Sequence, residues 1–266
     1  MVSEAFTRSS RPTSIIVACL LACAACESPP PEFEEPPAVE VLYQTGLDQH
    51  KGRRILGILP WANRIIAIET FQSIIDNYPY SDYAVLAELR IADAYFEDRK
   101  YEEALSYYRD FSDLHPRHTK VPYTIYRSAL CHERRMRGAN RDQTATRDAL
   151  VYLDQLLLKY PHSEYAPEAE SLWRELRTHL AENAKQIADF YMNRKEYESA
   201  AARYRSLLNE YPGLGMDAQA LYKLGVCYVE MRRREEAQQV FQSIVQNYRN
   251  SDYAGDAEKR IAALTN

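Results

Sequence analysis

Five cysteines and six histidines are the readiest sources of nucleophile, redox or metal chemistry in this 266-residue chain. His115 and His118, in the run His-Pro-Arg-His, come nearest to a metal pair. A zinc site needs three or four ligands, and two histidines at a helix end beside Pro116 read as solvated loop residues. Cys131 and His132 suggest a thiol and its base, but neighbours on one helix point in different directions. There is no Gly-rich phosphate loop and no Ser nucleophile elbow. Arg232, Arg233 and Arg234 read as a solvated turn rather than a nucleic-acid patch. The chemistry that fits is modification. Arg8 and Arg11 precede an apolar run, Ile15 to Ala25, and Cys26 stands where the sequence turns polar. Cysteines in such a setting receive lipid and become the first residue of the mature chain. Cys23 has the better preceding residues, Leu20, Leu21 and Ala22; Cys26 has the longer apolar run and is favoured. A plain secretory signal with incidental cysteines is the remaining reading. No enzyme activity, cofactor or metal is expected.

What must position any binding residue is a repeated helix pair. Phe71 to Ala84, FQSIIDNYPYSDYA, returns as FQSIVQNYRNSDYA from Phe241 to Ala254, with ten of fourteen positions identical. Three degenerate copies lie between them. Their helix-ending signatures are Tyr78-Pro79, His115-Pro116, Tyr160-Pro161, Tyr211-Pro212 and Tyr248-Arg249, spaced 37, 45, 51 and 37 residues apart. Twelve residues before each stop stands a small residue: Ala67, Ala104, Ala149, Ala200, Ala237. Eight before stands a large one: Phe71, Tyr108, Leu153, Tyr204, Phe241. Five before stands Ile74, Phe111, Leu156, Leu207 or Ile244. Offsets of four and three put these on one helical face, and proline ends the helix. With a helix before each copy, this is the tetratricopeptide pattern. The expected fold is all-α, a tetratricopeptide solenoid of five helix-turn-helix repeats in a right-handed superhelix.

The expected domains are a signal peptide at 1–25, a lipidated Cys and Pro/Glu-rich tether at 26–38, and the solenoid at 39–266. The repeats run at about 39–80, 81–117, 118–162, 163–213 and 214–254, with a terminal helix at 255–264. The first and third repeats carry insertions, RRILGILPWAN and MRGANRDQTA, and the fourth has a long first helix from about Glu168 to Arg194. Proline and glutamate leave the tether too little apolar surface to pack. The net charge of −5 argues against nucleic acid as a partner. No apolar run reaches eighteen residues, so no membrane-spanning helix is expected. Cys131 and Cys227 fall in non-adjacent repeats, which do not touch in a solenoid, so they are expected as buried free thiols.

A lipoprotein signal, an acidic tether and five uneven repeats together resemble the BamD family, lipoproteins of the outer-membrane β-barrel assembly machine. The resemblance rests on LYQTG around Tyr43, NYPYSDYA ending repeat one, LLLKYPHSEYAPEA ending repeat three and ADFYMNRKEYESAAARYRSLLNEYP in repeat four. The apolar insertion Ile55 to Trp61 departs from it, because the family has a short turn there. The resemblance implies a non-enzymatic scaffold on the periplasmic face of the outer membrane, held by its N-terminal lipid. Its implied partners are the periplasmic domains of BamA and unfolded outer-membrane proteins. Arg194 and Arg203 match arginines in the stretch that faces BamA, and Arg203 is the better candidate. An exposed stripe on the first helices of repeats one to three is the expected peptide groove: Tyr43, Leu86, Arg90, Asp93, Phe96, Tyr123 and Tyr126. Arg90 is the group that would meet a C-terminal carboxylate. The rival reading is another envelope tetratricopeptide lipoprotein, a scaffold for cell-wall, Tol-Pal-like or motility machinery.

Overall fold

The computed structural model describes residues 37–55, 59–61 and 64–265. Cys23, Cys26 and nearly all of the tether lie outside the described residues. From Val39 onward the chain forms eleven described helices and one short hairpin. Repeat one holds α1 (Val39–Lys51), β1 (Arg53–Ile55), β2 (Leu59–Trp61) and α2 (Arg64–Asn77). Then come α3 (Asp82–Glu97) and α4 (Tyr101–Leu114), α5 (Val121–Glu133) and α6 (Thr144–Lys159), α7 (Ala166–Asn193) and α8 (Tyr197–Glu210). The last pair is α9 (Asp217–Glu230) and α10 (Arg234–Asn247), followed by α11 (Ala254–Thr265). Each helix packs on its neighbour in sequence, the order expected of stacked helix pairs.

The repeat register read from the sequence is the register of the core. Ala67, Ala104, Ala149, Ala200 and Ala237 are all fully buried, as are Phe71, Tyr108, Leu153, Tyr204 and Phe241. Burying each large side chain contributes roughly 1.5–3 kcal/mol. The second helices end where expected, one residue before each Tyr or His of the stop signature. Proline also opens helices: Pro122 and Pro167 sit in the first turns of α5 and α7, where no intrahelical N–H partner is lost. In α3, Ser81 caps the start by accepting from the Ala84 N–H at 3.1 Å.

Arg99, Lys195 and Arg232 each hold a left-handed φ near 60° just past a first helix. That conformation costs a residue with a Cβ about 1 kcal/mol. A basic side chain there offsets part of it, because it lies at the negative end of the helix dipole.

Among the described residues, a short hairpin in the apolar insertion of repeat one is the one departure from all-helical structure. Arg53–Ile55 pairs antiparallel with Leu59–Trp61, Ile55 opposite Leu59 and Arg53 opposite Trp61. On either side of it α1 and α2 still meet as the helices of repeat five do. A Cβ on Gly46 would lie 2.6 Å from the Phe71 ring, and one on Gly225 2.6 Å from the Phe241 ring. Glycine is needed at both positions because the phenylalanine lies against the helix backbone. Cys131 and Cys227 are both buried free thiols. Burial pushes Cys131 up to about 12 and Cys227 up to about 11, so neither is a ready nucleophile at neutral pH.

Candidate functional site

Seven residues expected along the first helices fall into one neighbourhood, but two of them are not on an exposed stripe. Tyr43 is buried, its ring 5.8 Å from Phe71 and 5.3 Å from Tyr83. The Gly46–Phe71 contact sets the rotation of α1, and it turns Tyr43, one helical turn earlier, inward. Asp93 is buried too, with 8% of its side chain exposed.

Asp93 is tolerated in the interior because three helices satisfy it. Tyr108 of α4 donates its hydroxyl to Asp93 Oδ1 at 2.7 Å, and Tyr123 of α5 donates to the same oxygen at 2.5 Å. Arg90, one turn earlier on α3, bonds Oδ2 at 3.2 Å and also donates to the Tyr43 hydroxyl at 3.2 Å. Arg127 of α5 places its guanidinium 3.8 Å from Oδ1 and donates to Tyr108 at 2.9 Å. A buried carboxylate is stable only when paired and hydrogen-bonded in this way. Burial first, and then the charge of Asp93, hold the Tyr108 and Tyr123 hydroxyls far above the ordinary tyrosine range, so both remain donors. Burial pulls Arg90 and Arg127 down, but their tyrosine and Asp93 partners outweigh it and both end above the usual value.

Two arginines against one carboxylate leave a surplus positive charge in an aromatic setting. Arg127 lies 3.8 Å above the Phe96 ring. Tyr123 and Tyr126 both pack on Tyr165, at the start of α7, with ring centroids 5.6 and 5.8 Å apart. Leu86 is half-buried against the repeat-one core, and Phe96, Tyr123 and Tyr126 are half-buried as well. Arg90 keeps 42% of its side chain exposed. Arg90, Phe96 and Tyr126 therefore keep part of their surface exposed, while Tyr43 and Asp93 hold Arg90 in place. Sequence reasoning placed Tyr108 in the core without its bond to Asp93, and missed Arg127 and Tyr165.

The same device recurs in repeats four and five. Asp189 of α7 accepts from Tyr204 of α8, and from Lys223 of α9 at 2.6 Å. Tyr204 follows its aspartate by 15 residues, as Tyr108 does, and Lys223 follows by 34, as Arg127 does. Lys185 completes the second cluster at 3.3 Å. Burial raises the Asp189 carboxyl, but the hydrogen bonds from Lys223 and Tyr204 outweigh it and hold the carboxyl below the usual range.

Arg194 and Arg203 are exposed near this second cluster. Arg194 is taken up locally, bonded to Glu196 at 2.8 Å, with its guanidinium 5.5 Å from the Phe190 ring. Arg203 lies 6.0 Å from the Tyr191 ring and lines a cleft with Ile187, Asn183 and Arg147. Ile187 and Phe190 are exposed apolar residues one turn apart on α7, so Arg203 stands beside a small apolar patch.

His115 and His118, expected as solvated loop residues, are instead half-buried against the Phe111 ring, with ring centroids 5.0 and 5.2 Å away. His115 pairs with Glu88 at 2.9 Å, and His118 accepts from the Lys120 N–H at 3.1 Å. No group of three metal-ligating side chains occurs among the described residues, and none of the described helices is long and apolar enough to cross a membrane.

Residues 61–240 match the YfiO family, described as an outer membrane lipoprotein family. The outer membrane protein assembly factor BamD of Caulobacter vibrioides is 28% identical over 233 residues, covering 85% of this chain and 73% of that protein. BamD of Rickettsia prowazekii is 26% identical over 75% of this chain and 80% of that protein. BamD of Neisseria gonorrhoeae is 25% identical over 81% of each. Among solved structures, the TPR2AB domain of yeast Sti1 in its pHSP90 complex covers 85% of this chain and 82% of that one. Its identity is 15% and its TM-score 0.43, too low to add to what the helix pairs show.

Proposed function

This chain belongs to the YfiO family of outer membrane lipoproteins, the family of the BamD assembly factors, and from that premise we propose that it is a non-enzymatic scaffold of outer-membrane protein assembly. In this reading it docks the periplasmic domains of BamA and receives unfolded segments of barrel proteins. A lipid on Cys26, or on Cys23, holds it to the periplasmic face of the outer membrane. The chemistry of the described residues suits binding rather than catalysis. The two buried thiols are held protonated, and the buried tyrosines and arginines are locked in mutual hydrogen bonds.

The observation that carries the receptor role is the surplus cation of the Arg90–Asp93–Arg127 cluster beside Phe96 and Tyr126. An extended peptide ending in an aromatic residue brings a carboxylate and a ring together, and this surface offers a guanidinium and rings to meet them. Arg203, with Ile187 in the same cleft, supplies an Arg fork for a carboxylate on BamA and an apolar contact next to it. Crosslinking during barrel-protein assembly tests the groove. Photoreactive residues at Leu86, Phe96 and Tyr126 should capture nascent barrel proteins, and one at Leu158, exposed on the second helix α6, should not. Capture from Leu158 alone, or from none of the four, would overturn the groove.

A further inference from the structure

The basic run Arg232-Arg233-Arg234, which the sequence presents as a plain turn, is sorted by the fold into two kinds of arginine. Arg233 is consumed: it pairs with Glu236 and its guanidinium lies 4.9 Å from the Tyr228 ring. Arg232 and Arg234, on either side of it, line a cavity of about 490 Å³ together with Arg260 of α11. The rest of the lining is apolar: Val229 of α9, and Ala263 and Leu264 of α11. No carboxylate lines it. Three other cavities among the described residues carry their own acids: Glu175 and Glu182 in one, Glu210 in a second, and Glu102, Asp142 and Asp148 in a third. The left-handed backbone at Arg232 is shared with Arg99 and Lys195, so it marks the turn and not the cavity. What is particular to this place is three arginines over an apolar floor in a chain whose net charge is −5.

Like charges held together without a counter-charge repel one another, and an anionic group relieves that repulsion. Arginine meets carboxylates with two parallel hydrogen bonds. An apolar floor favours a ligand that brings an alkyl side chain beside its charge, which a free inorganic anion lacks. The volume lies in the range of ligand sites, with room for a few side chains. We infer that the cavity between the α9–α10 turn and α11 is a docking site for an acidic protein segment carrying an aliphatic residue next to its carboxylates. The site is separate from the Arg203 patch and from the Arg90–Arg127 surface, and it stands whether or not the assembly role does.

A blocked, fluorescein-labelled hexapeptide, Glu-Leu-Glu-Glu-Leu-Glu, titrated with the full chain at low salt and read by anisotropy, tests this. Saturable binding should weaken by about tenfold or more in the double variant Arg232→Gln/Arg260→Gln, because two charge-assisted contacts are lost. It should fall with added salt, and it should be unchanged in Arg249→Gln, an exposed arginine outside the cavity. Equal binding of the Gln-Leu-Gln-Gln-Leu-Gln peptide, or an unaltered double variant of wild-type helicity, would overturn the inference. It would also be overturned if the double variant lost binding to phosphatidylglycerol vesicles while keeping the peptide. Loss of a concentration-dependent self-association in the double variant, with the peptide unaffected, would assign the cavity to a second copy of the chain instead.

Discussion

Asp93 and Asp189 occupy the same place in two pairs of repeats, and their surroundings differ. Asp93 keeps 8% of its side chain exposed and has two arginines and two tyrosines; Asp189 keeps 24% and has two lysines and one tyrosine. The closed cluster can use arginine because Phe96 lies under Arg127. In the open cluster Met192 touches Tyr204 instead, through its sulfur at 3.5 Å. Lysine is a point charge that keeps its water, whereas arginine stacks and forks. One inter-repeat pin has thus been made into a rigid buried hub at the proposed receptor end and a wetter tie at the proposed docking end. Position, not residue type alone, decides how much a carboxylate matters.

The largest predicted difference follows from that burial. Asp93→Ala leaves two arginines and two tyrosine hydroxyls short of a partner, and should cost about 3–5 kcal/mol in urea unfolding. Asp189→Ala should cost on the order of 1 kcal/mol, because its lysines can return to solvent. Equal losses would break the comparison. The glycine contacts give a control in which the two ends should agree. Gly46→Ala and Gly225→Ala each push a methyl into a phenylalanine ring, and each should cost about 1–3 kcal/mol in the same assay. A clear inequality would mean that the hairpin beside Gly46 lets repeat one relax.

Exchange of the basic residues should be smaller and one-sided. Arg127→Lys loses the Phe96 stacking and the Tyr108 bond, about 1–2 kcal/mol, while Lys223→Arg should stay within about 0.5 kcal/mol. Both would show as shifts in the unfolding midpoint. The smallest effect is in pH. Burial first, with Arg135 beside it, lowers His132 despite the opposing charge of Asp148. A histidine depressed in the folded state contributes stability that is complete above its unfolded value, about 6.5. That contribution is lost as the pH falls from there through the folded value. Stability should therefore slope downward below neutrality, and His132→Tyr, which takes the residue found at the matching Tyr228, should flatten that slope. An unchanged slope would remove His132 from the account.

The helical register was legible because small, large and apolar residues recur at fixed offsets within a single helix. Ala200, Tyr204 and Leu207 need no knowledge of their neighbours to be placed on one face. The hub was not read, because its members come from three helices of two repeats, and only packing shows that Asp93 meets Tyr108, Tyr123 and Arg127. A signal was nonetheless present, since an aspartate, a tyrosine 15 residues on and a base 34 residues on occur twice. Tyr43 was misplaced for a different reason: the phase of α1 is fixed by the Gly46–Phe71 contact across the insertion, and the helix itself carries no marker of it. Arg232 and Arg234 looked like any exposed turn until α11 brought Arg260 beside them.

The assembly role is tested most directly by purifying the chain from native membranes and asking whether BamA comes with it. Stoichiometric BamA with the wild-type chain is predicted, and a loss of at least about tenfold with Arg203→Glu, where a fork that meets a carboxylate becomes a repulsion. A wild-type chain that brings no BamA, under conditions that keep it folded and membrane-bound, would contradict the account.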